Sequence, residues 1–442
     1  MPDHHDRAAL RVAGIDLAGV VERLAAAAPA ADAAYAFPWE GVQAVHDAGL
    51  LELSVASRYG GRDIGVGELV RIVAALGRGD PSVALISLMT LNTHRNQAQR
   101  GNWPEALYLR VLAEAKEKPI LLNAARGEPE LGSPARGGLP QTRARRTARG
   151  WSISGRKRFV TGSQGLSYFL VWASTDEQPQ RVGTFVVPAG APGIRVIENW
   201  KSLGMRASAS HDVEFNEVEV GRDDVIGLTG TDIAEQDNRA HAQGALILTA
   251  IYLGVAEAAQ EAFLAFAEGR VPTNLGFPIS RTERFVALAG EIDLLVGGAR
   301  QLILDAVDHA ADEPERLMRA RLLAGRQLLR ATQIAMTALG NPGLSADGSL
   351  ERHFRDIQSV LVHAPQEDTV VSLLGRAAFS ARAGASAAAE RNGREPIAGV
   401  PGGIEIAGSR QASLSPQQAL VSPKQALLSP KQDAPQTVRV SS

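Results

Sequence analysis

Apolar positions recur at three- and four-residue spacing through the first quarter of the chain. Val20, Val21 and Leu24 lie on one such stripe, and Val42, Val45 and Leu50 on another, with Gly49 where a helix would stop. Residues 68–78 and 105–116 repeat the pattern. After Pro119 the period shortens to two. Residues 151–160, 169–173, 184–188 and 212–220 alternate like strands and are separated by Gly and Pro. Beyond Gly230 the helical period returns over 233–268, 281–312, 315–339 and 368–391, with short links that suit an antiparallel bundle. The pattern therefore predicts an α+β multidomain chain. An N-terminal α-helical domain spans 1–118, a central antiparallel β-domain 119–230, and a C-terminal four-helix bundle 231–392.

The last segment, 393–442, breaks the pattern. Ser415-Pro416, Ser422-Pro423 and Ser429-Pro430 recur every seven residues. A proline at that interval prevents a continuous helix, so a disordered low-complexity tail is expected.

Composition narrows the function. The 46 basic and 48 acidic residues nearly cancel, which gives no support to a nucleic-acid or membrane partner. Cysteine is absent, which removes disulfides, thiolate nucleophiles and iron–sulfur clusters. No uninterrupted 18-residue apolar run and no signal-peptide layout is found, so a cytoplasmic enzyme is the expectation. No metal-binding motif, P-loop or nucleophile elbow is present.

Four segments carry chemistry. They are Arg126-Gly127-Glu128-Pro129-Glu130-Leu131-Gly132-Ser133, Gly155-Arg156-Lys157-Arg158-Phe159-Val160-Thr161-Gly162-Ser163, Lys201-Ser202-Leu203-Gly204-Met205-Arg206-Ala207-Ser208, and Gly340-Asn341-Pro342-Gly343 followed by Glu351-Arg352 and Arg355-Asp356. Short glycine-containing loops at strand ends expose backbone N–H groups, and neighbouring hydroxyls can donate or accept. In order and spacing the four resemble the signature segments of the acyl-CoA dehydrogenase family. The resemblance implies a flavin, FAD with FMN as the alternative, held by Gly127, Gly132, Ser133, Thr161, Ser163, Arg270, Gly340 and Gly343. It implies Thr161 near the reactive flavin nitrogen and Ser133 toward the substrate or phosphate side. It also implies Arg270 reaching the flavin phosphates of a neighbouring subunit, hence a homodimer or homotetramer.

The chain departs from the family at the catalytic base. Most members place a glutamate eight residues after the aspartate of the E-R-x-x-R-D run, and here that count lands on Ala364. The other family station, on the first long bundle helix, falls on Gly244. The pair His363-Ala364 looks more like the flavin monooxygenase branch, which includes dibenzothiophene monooxygenase-like proteins. That branch implies reduced flavin supplied by a separate reductase, oxygen, and a small organic substrate. His363 is the first catalytic candidate, assisted by Ser163, because imidazole titrates near neutrality. His94, amid helical sequence, is the second. Two alternatives stay open: dehydrogenase or oxidase chemistry with a displaced base such as Glu367, and a non-catalytic flavin-fold binding protein. Among the other histidines, His211 reads as a turn residue and His241 as structural, and His4-His5 falls at a frayed terminus. The basic run Arg143–Arg149 reads as a solvated edge.

Overall fold

The computed structural model describes residues 11–130, 138–230 and 238–392. Gly132, Ser133, His4, His5 and the 393–442 tail lie outside the described residues. One compact unit runs to Ala381, and of the second, 382–442, only the end of the last helix is described.

The order is helices, then a sheet, then helices. Two short strands, β1 (Arg11–Val12) and β2 (Ile15–Asp16), precede α1 (Ala18–Ala34) and α2 (Trp39–Asp47). Then come α3 (Val66–Gly79), α4 (Pro81–Arg100) and α5 (Glu105–Ala115). Helix α4 begins where the Asp80 carboxylate accepts the Ser82 N–H at 2.8 Å, with Pro81 in the first turn, and stops at the left-handed Gly101. It is buried nearly all round, so it carries no amphipathic stripe.

The β-domain contains β3 (Leu122–Ala125), β4 (Arg143–Arg146), β5 (Gly150–Val160), β6 (Tyr168–Thr175), β7 (Arg181–Pro188), β8 (Ile194–Ile197), β9 (His211–Gly221) and β10 (Val225–Gly230). They form one eight-stranded sheet in the order β10-β7-β6-β4-β5-β9-β8, with β3 also on β6. The pairs are antiparallel except β3–β6 and β4–β6. The basic run is thus not an edge. Residues Arg143–Arg146 form the interior strand β4, with Ala144 buried and the flanking arginines exposed. His211 opens strand β9, buried, and its Nδ1 accepts the Trp200 N–H at 2.9 Å.

Across β5 lies a buried ion pair. Lys157 Nζ is 2.6 Å from Glu128 Oε1 and also donates to the Trp172 carbonyl. Glu128 further accepts from Thr142 and from the Gln141 N–H, so both charges are fully bonded. Burial lowers the Lys157 ammonium to about 8.

The bundle consists of α6 (Asn238–Gly269), α7 (Glu283–His309), α8 (Pro314–Leu339), α9 (Leu350–Ile357) and α10 (Glu367–Asn392). Among the described residues α6 is the one helix long and apolar enough to cross a membrane, and 78% of its most apolar window is buried. Polar residues interrupt it, so no uninterrupted apolar run marks it in the sequence. Helix α6 meets α3 backbone to backbone. A Cβ on Gly254 would stand 2.1 Å from the Ala74 carbonyl oxygen, and one on Gly77 would stand 2.4 Å from that of Ile251.

A charge clasp on α9 joins the three regions. Arg355 grips Asp32 of α1 with two N–H groups, at 3.1 and 2.7 Å, and also donates to Glu351 and to the Leu203 carbonyl. Asp356 accepts the Met205 N–H at 2.6 Å. Gly204 fits only because it lacks a Cβ, which would lie 2.1 Å from the Arg355 carbonyl oxygen.

A second cluster of apolar side chains packs α5 on the outer face of the sheet. At its margin His94 of α4 is 1% exposed, and its Nδ1 lies 3.0 Å from the Tyr108 hydroxyl. Burial lowers the His94 imidazole to about 4 and raises the Tyr108 phenol.

Two predictions follow from these contacts. Arg355→Ala leaves Glu351 without its cation and Asp32 with only the distant Arg206 at 3.9 Å, and should cost about 3 kcal/mol in urea unfolding; a loss under about 0.5 kcal/mol, the scale of an ordinary surface change, would show the clasp to be ornamental. For His94, the folded value lies below the unfolded 6.5. Its contribution is therefore complete above pH 6.5 and is lost as pH falls toward 4. The melting temperature of His94→Gln should fall less steeply across that window than that of the unaltered protein, and parallel curves would refute the assignment.

Candidate functional site

The strand-end face is built where β5 and β9 lose register between Lys157 and Val160. The bulge gives Phe159 a φ of +55° and turns its ring outward, 61% exposed, edge-on to Trp200 at 6.2 Å. Beyond it the chain turns at Gly162, whose φ is +77°. Gly162 N–H donates to the Ser208 carbonyl at 2.8 Å. Thr161 shares a hydroxyl contact of 3.0 Å with Ser210, and Ser210 another of 2.9 Å with Ser208. Ser163 is buried and donates its hydroxyl to the Ala209 carbonyl at 2.7 Å. Gly127 lies alongside, its carbonyl accepting the Arg158 N–H at 2.9 Å. Asn123 of β3 donates to the Thr161 carbonyl at 2.9 Å.

The structure thus brings Gly127, Thr161 and Ser163 together. Ser208, Ser210 and Asn123 belong to the same cluster and were not singled out in the sequence. Ser208 lies inside a recognised segment, but nothing local signals that its carbonyl meets the Gly162 N–H or that Ser210 meets Thr161. His94 is tied in indirectly. One turn earlier on α4, the Thr90 hydroxyl accepts the Leu122 N–H at 3.0 Å, next to Asn123.

His363 sits in a different setting. Its Nδ1 shares a short hydrogen bond with the Tyr252 hydroxyl of α6, and its carbonyl accepts from Arg321 at 2.8 Å. Burial, with Arg321 beside it, lowers the His363 imidazole to about 4. Burial also keeps the Tyr252 phenol protonated. Tyr252 is therefore the donor and Nδ1 the acceptor, which leaves the ring proton on Nε2. The near-neutral titration expected from an isolated imidazole does not hold here. His363 is a neutral hydrogen-bonding group. Tyr252 also reaches Met205 Sδ at 3.7 Å, and Met205 belongs to the loop that continues to Ser208. His241 lies near enough to Arg321 to feel its charge.

The carboxylates around His363 are engaged elsewhere. Glu367 forms an ion pair with Arg326, 2.5 Å apart, at an exposed position. Glu257 pairs with Arg300 at 2.8 Å. Asp356 is 3% exposed and holds Met205, and burial raises its carboxyl to about 7. A Cβ built on Gly244 meets nothing within 4 Å.

Three predicted residues lie on the bundle instead. Arg270 is exposed just past α6, with no acidic partner among the described residues. Gly340 ends α8 with a φ of +66°, and at Gly343 a Cβ would lie 2.3 Å from the Met336 carbonyl oxygen.

The comparisons agree with this architecture. The chain matches the acyl-CoA dehydrogenase N-terminal domain over residues 18–106, the middle domain over 123–218 and the C-terminal domain over 246–367. It is 31% identical over 351 residues to the putative acyl-CoA dehydrogenase YdbM of Bacillus subtilis, covering 78% of this chain and 90% of that one. It is also 31% identical over 272 residues to L-evernosamine nitrososynthase of a Micromonospora species, covering 58% and 61%. Among solved structures, KijD3 in complex with FMN and a dTDP-linked amino-keto sugar superposes with a TM-score of 0.72 at 24% identity, over 86% of this chain and 95% of that one. With all three domains matched in order, the chain belongs to the acyl-CoA dehydrogenase family.

Proposed function

We propose that this protein is a flavin-dependent oxidoreductase that delivers oxygen to a small organic substrate, a monooxygenase rather than a dehydrogenase. The observation that carries the reading is the state of the carboxylates. By the spacing of the resembling segments Ala364 and Gly244 fall at the family's two base positions, and Asp356, Glu367 and Glu257 each hold another group. Removing a proton beside a thioester needs a base within reach of that carbon.

The residues present suit a flavin. Phe159 offers an exposed ring two residues from Thr161, with the Arg158 guanidinium over it at 4.7 Å, and Gly127 presents backbone without a side chain. Arg270, which has no acidic partner among the described residues, carries a guanidinium suited to a phosphate of a neighbouring subunit, with Gly340 and Gly343 on the same shared site. Gly132 and Ser133 complete the set inferred from sequence. When bound, the flavin supplies two-electron chemistry with oxygen. FAD gives Arg270 more to hold than FMN does. In this reading a separate reductase delivers the electrons and the protein works as a homodimer or homotetramer.

The protein's own groups then bind, orient and exclude water. His363, neutral and fixed by Tyr252, offers an N–H from Nε2 rather than a transferable charge. Ser163 holds the Thr161–Ser163 turn against Ala209, and His94 ties α4 to α5 through Tyr108. The YdbM relationship favours a second reading, in which the chain oxidises an acyl-CoA through a base not yet located.

The discriminating measurement is anaerobic titration of the flavin-loaded protein with butyryl-, octanoyl- and palmitoyl-CoA. No loss of flavin absorbance is expected, and bleaching by any of them would overturn the monooxygenase assignment. For His363→Ala, mixing the chemically reduced, flavin-loaded protein with oxygen should release hydrogen peroxide about tenfold faster, the scale of one lost hydrogen bond. An unchanged rate removes His363 from the site.

A further inference from the structure

A second opening lies between the C-terminal half of α4 and the outer surface of the sheet, a cleft of about 350 Å³. That is within the range of small-ligand sites. Two arginines line it, Arg100 at the end of α4 and Arg126 just past β3, and no aspartate or glutamate does. Neither guanidinium forms an ion pair or hydrogen bond with a described residue. Arg126 lies over the Trp172 ring at 5.1 Å. Stacking of this kind fixes a guanidinium while leaving its N–H fork free.

The two charges also feel each other. Both side chains reach solvent, and packing against the cleft wall, then the nearby Arg100, lower the Arg126 guanidinium. Like charges that converge on one space without a counter-ion raise the free energy of the empty site, and an anion between them removes that cost. The remaining lining is neutral. Asn96 and Asn102 offer amide donors, and Trp103 and Trp172 form an apolar wall. Trp103 is fixed, because its backbone N–H donates to Gln97 Oε1 at 3.0 Å.

We propose that this cleft binds the oxyanion of a small organic acid, a carboxylate or a phosphate, between Arg100 and Arg126, with the apolar part of the molecule against Trp172 and Trp103. Strand β3 leads from the cleft wall at Ala124 to Gly127 on the strand-end face. That continuity makes the anion a handle on the substrate. The substrate role rests on the flavin reading; the anion site itself does not.

The test is tryptophan fluorescence of the full chain titrated with benzoate, phenyl phosphate and neutral benzamide. Saturable quenching by at least one anion is expected, with benzamide at least tenfold weaker, and the preferred anion identifies carboxylate or phosphate. Arg126→Gln and, separately, Arg100→Gln should each weaken the anion at least tenfold and leave benzamide unchanged. Equal binding of anion and amide, no saturable quenching, or full affinity in both variants would overturn the proposal. Flavin affinity is measured on the same samples. If Arg126→Gln loses flavin and anion together, the arginines belong to the cofactor phosphate and the proposal falls. If no flavin binds while benzoate or phenyl phosphate still binds through Arg126, the flavin reading fails and the anion site stands.

Discussion

The contact on which the rest depends is the clasp at the end of α9. Arg355 is engaged by Asp32, Glu351 and the Leu203 carbonyl at once, and Asp356 takes the Met205 N–H. Two adjacent charges on one short helix thereby hold α1 and the loop between β8 and β9. That loop then supplies the Ser208 carbonyl to Gly162, the Ala209 carbonyl to Ser163 and the Ser210 hydroxyl to Thr161. The hydroxyl cluster of the strand-end face is therefore positioned from the bundle, through Met205. Buried charges permit this because an ion removed from water must be fully bonded, which leaves few acceptable geometries.

The same loop couples the face to His363. Met205 lies against the Tyr252 hydroxyl, and Tyr252 fixes the histidine ring. A shift of the loop would alter both the hydroxyls and the imidazole. The two candidate groups are thus linked through Met205 and its loop, although no hydrogen bond is recorded between them directly.

What was legible in the sequence follows from what is locally encoded. The helices with an apolar stripe and the longer strands were found to within a few residues, because their period is in the chain itself. Helix α4 has no stripe, being buried on most sides, and is marked only by its Asp80-Pro81 start and its Gly101 stop. Strands β3, β4, β8 and β10 are too short to show alternation, and β4 read as a charged edge because three of its four residues are arginines. The family segments were recognised, but their mechanics were not. Glu128 and Lys157 stand in two different segments, and only the folded sheet shows that they form one buried pair. The E-R-x-x-R-D run was valued for the residue eight positions after it, while its larger work is the clasp.

Asp356 is the strongest objection to a site without a base, since burial lifts its carboxyl to about 7, where general bases operate. A perturbed ionisation constant points to function only when the group can reach a substrate. Asp356 is 3% exposed, and one of its oxygens is spent on Met205. Its elevation comes from burial, reinforced by Asp32 and Asp80 and opposed by the Met205 N–H and Arg352. Of these, Asp32 and the Met205 N–H belong to the clasp, while Asp80 caps α4 and Arg352 stands on α9. Its basicity is a consequence of joining three parts of the fold with buried ions, and a substrate could deliver a proton to it only by dismantling the joint.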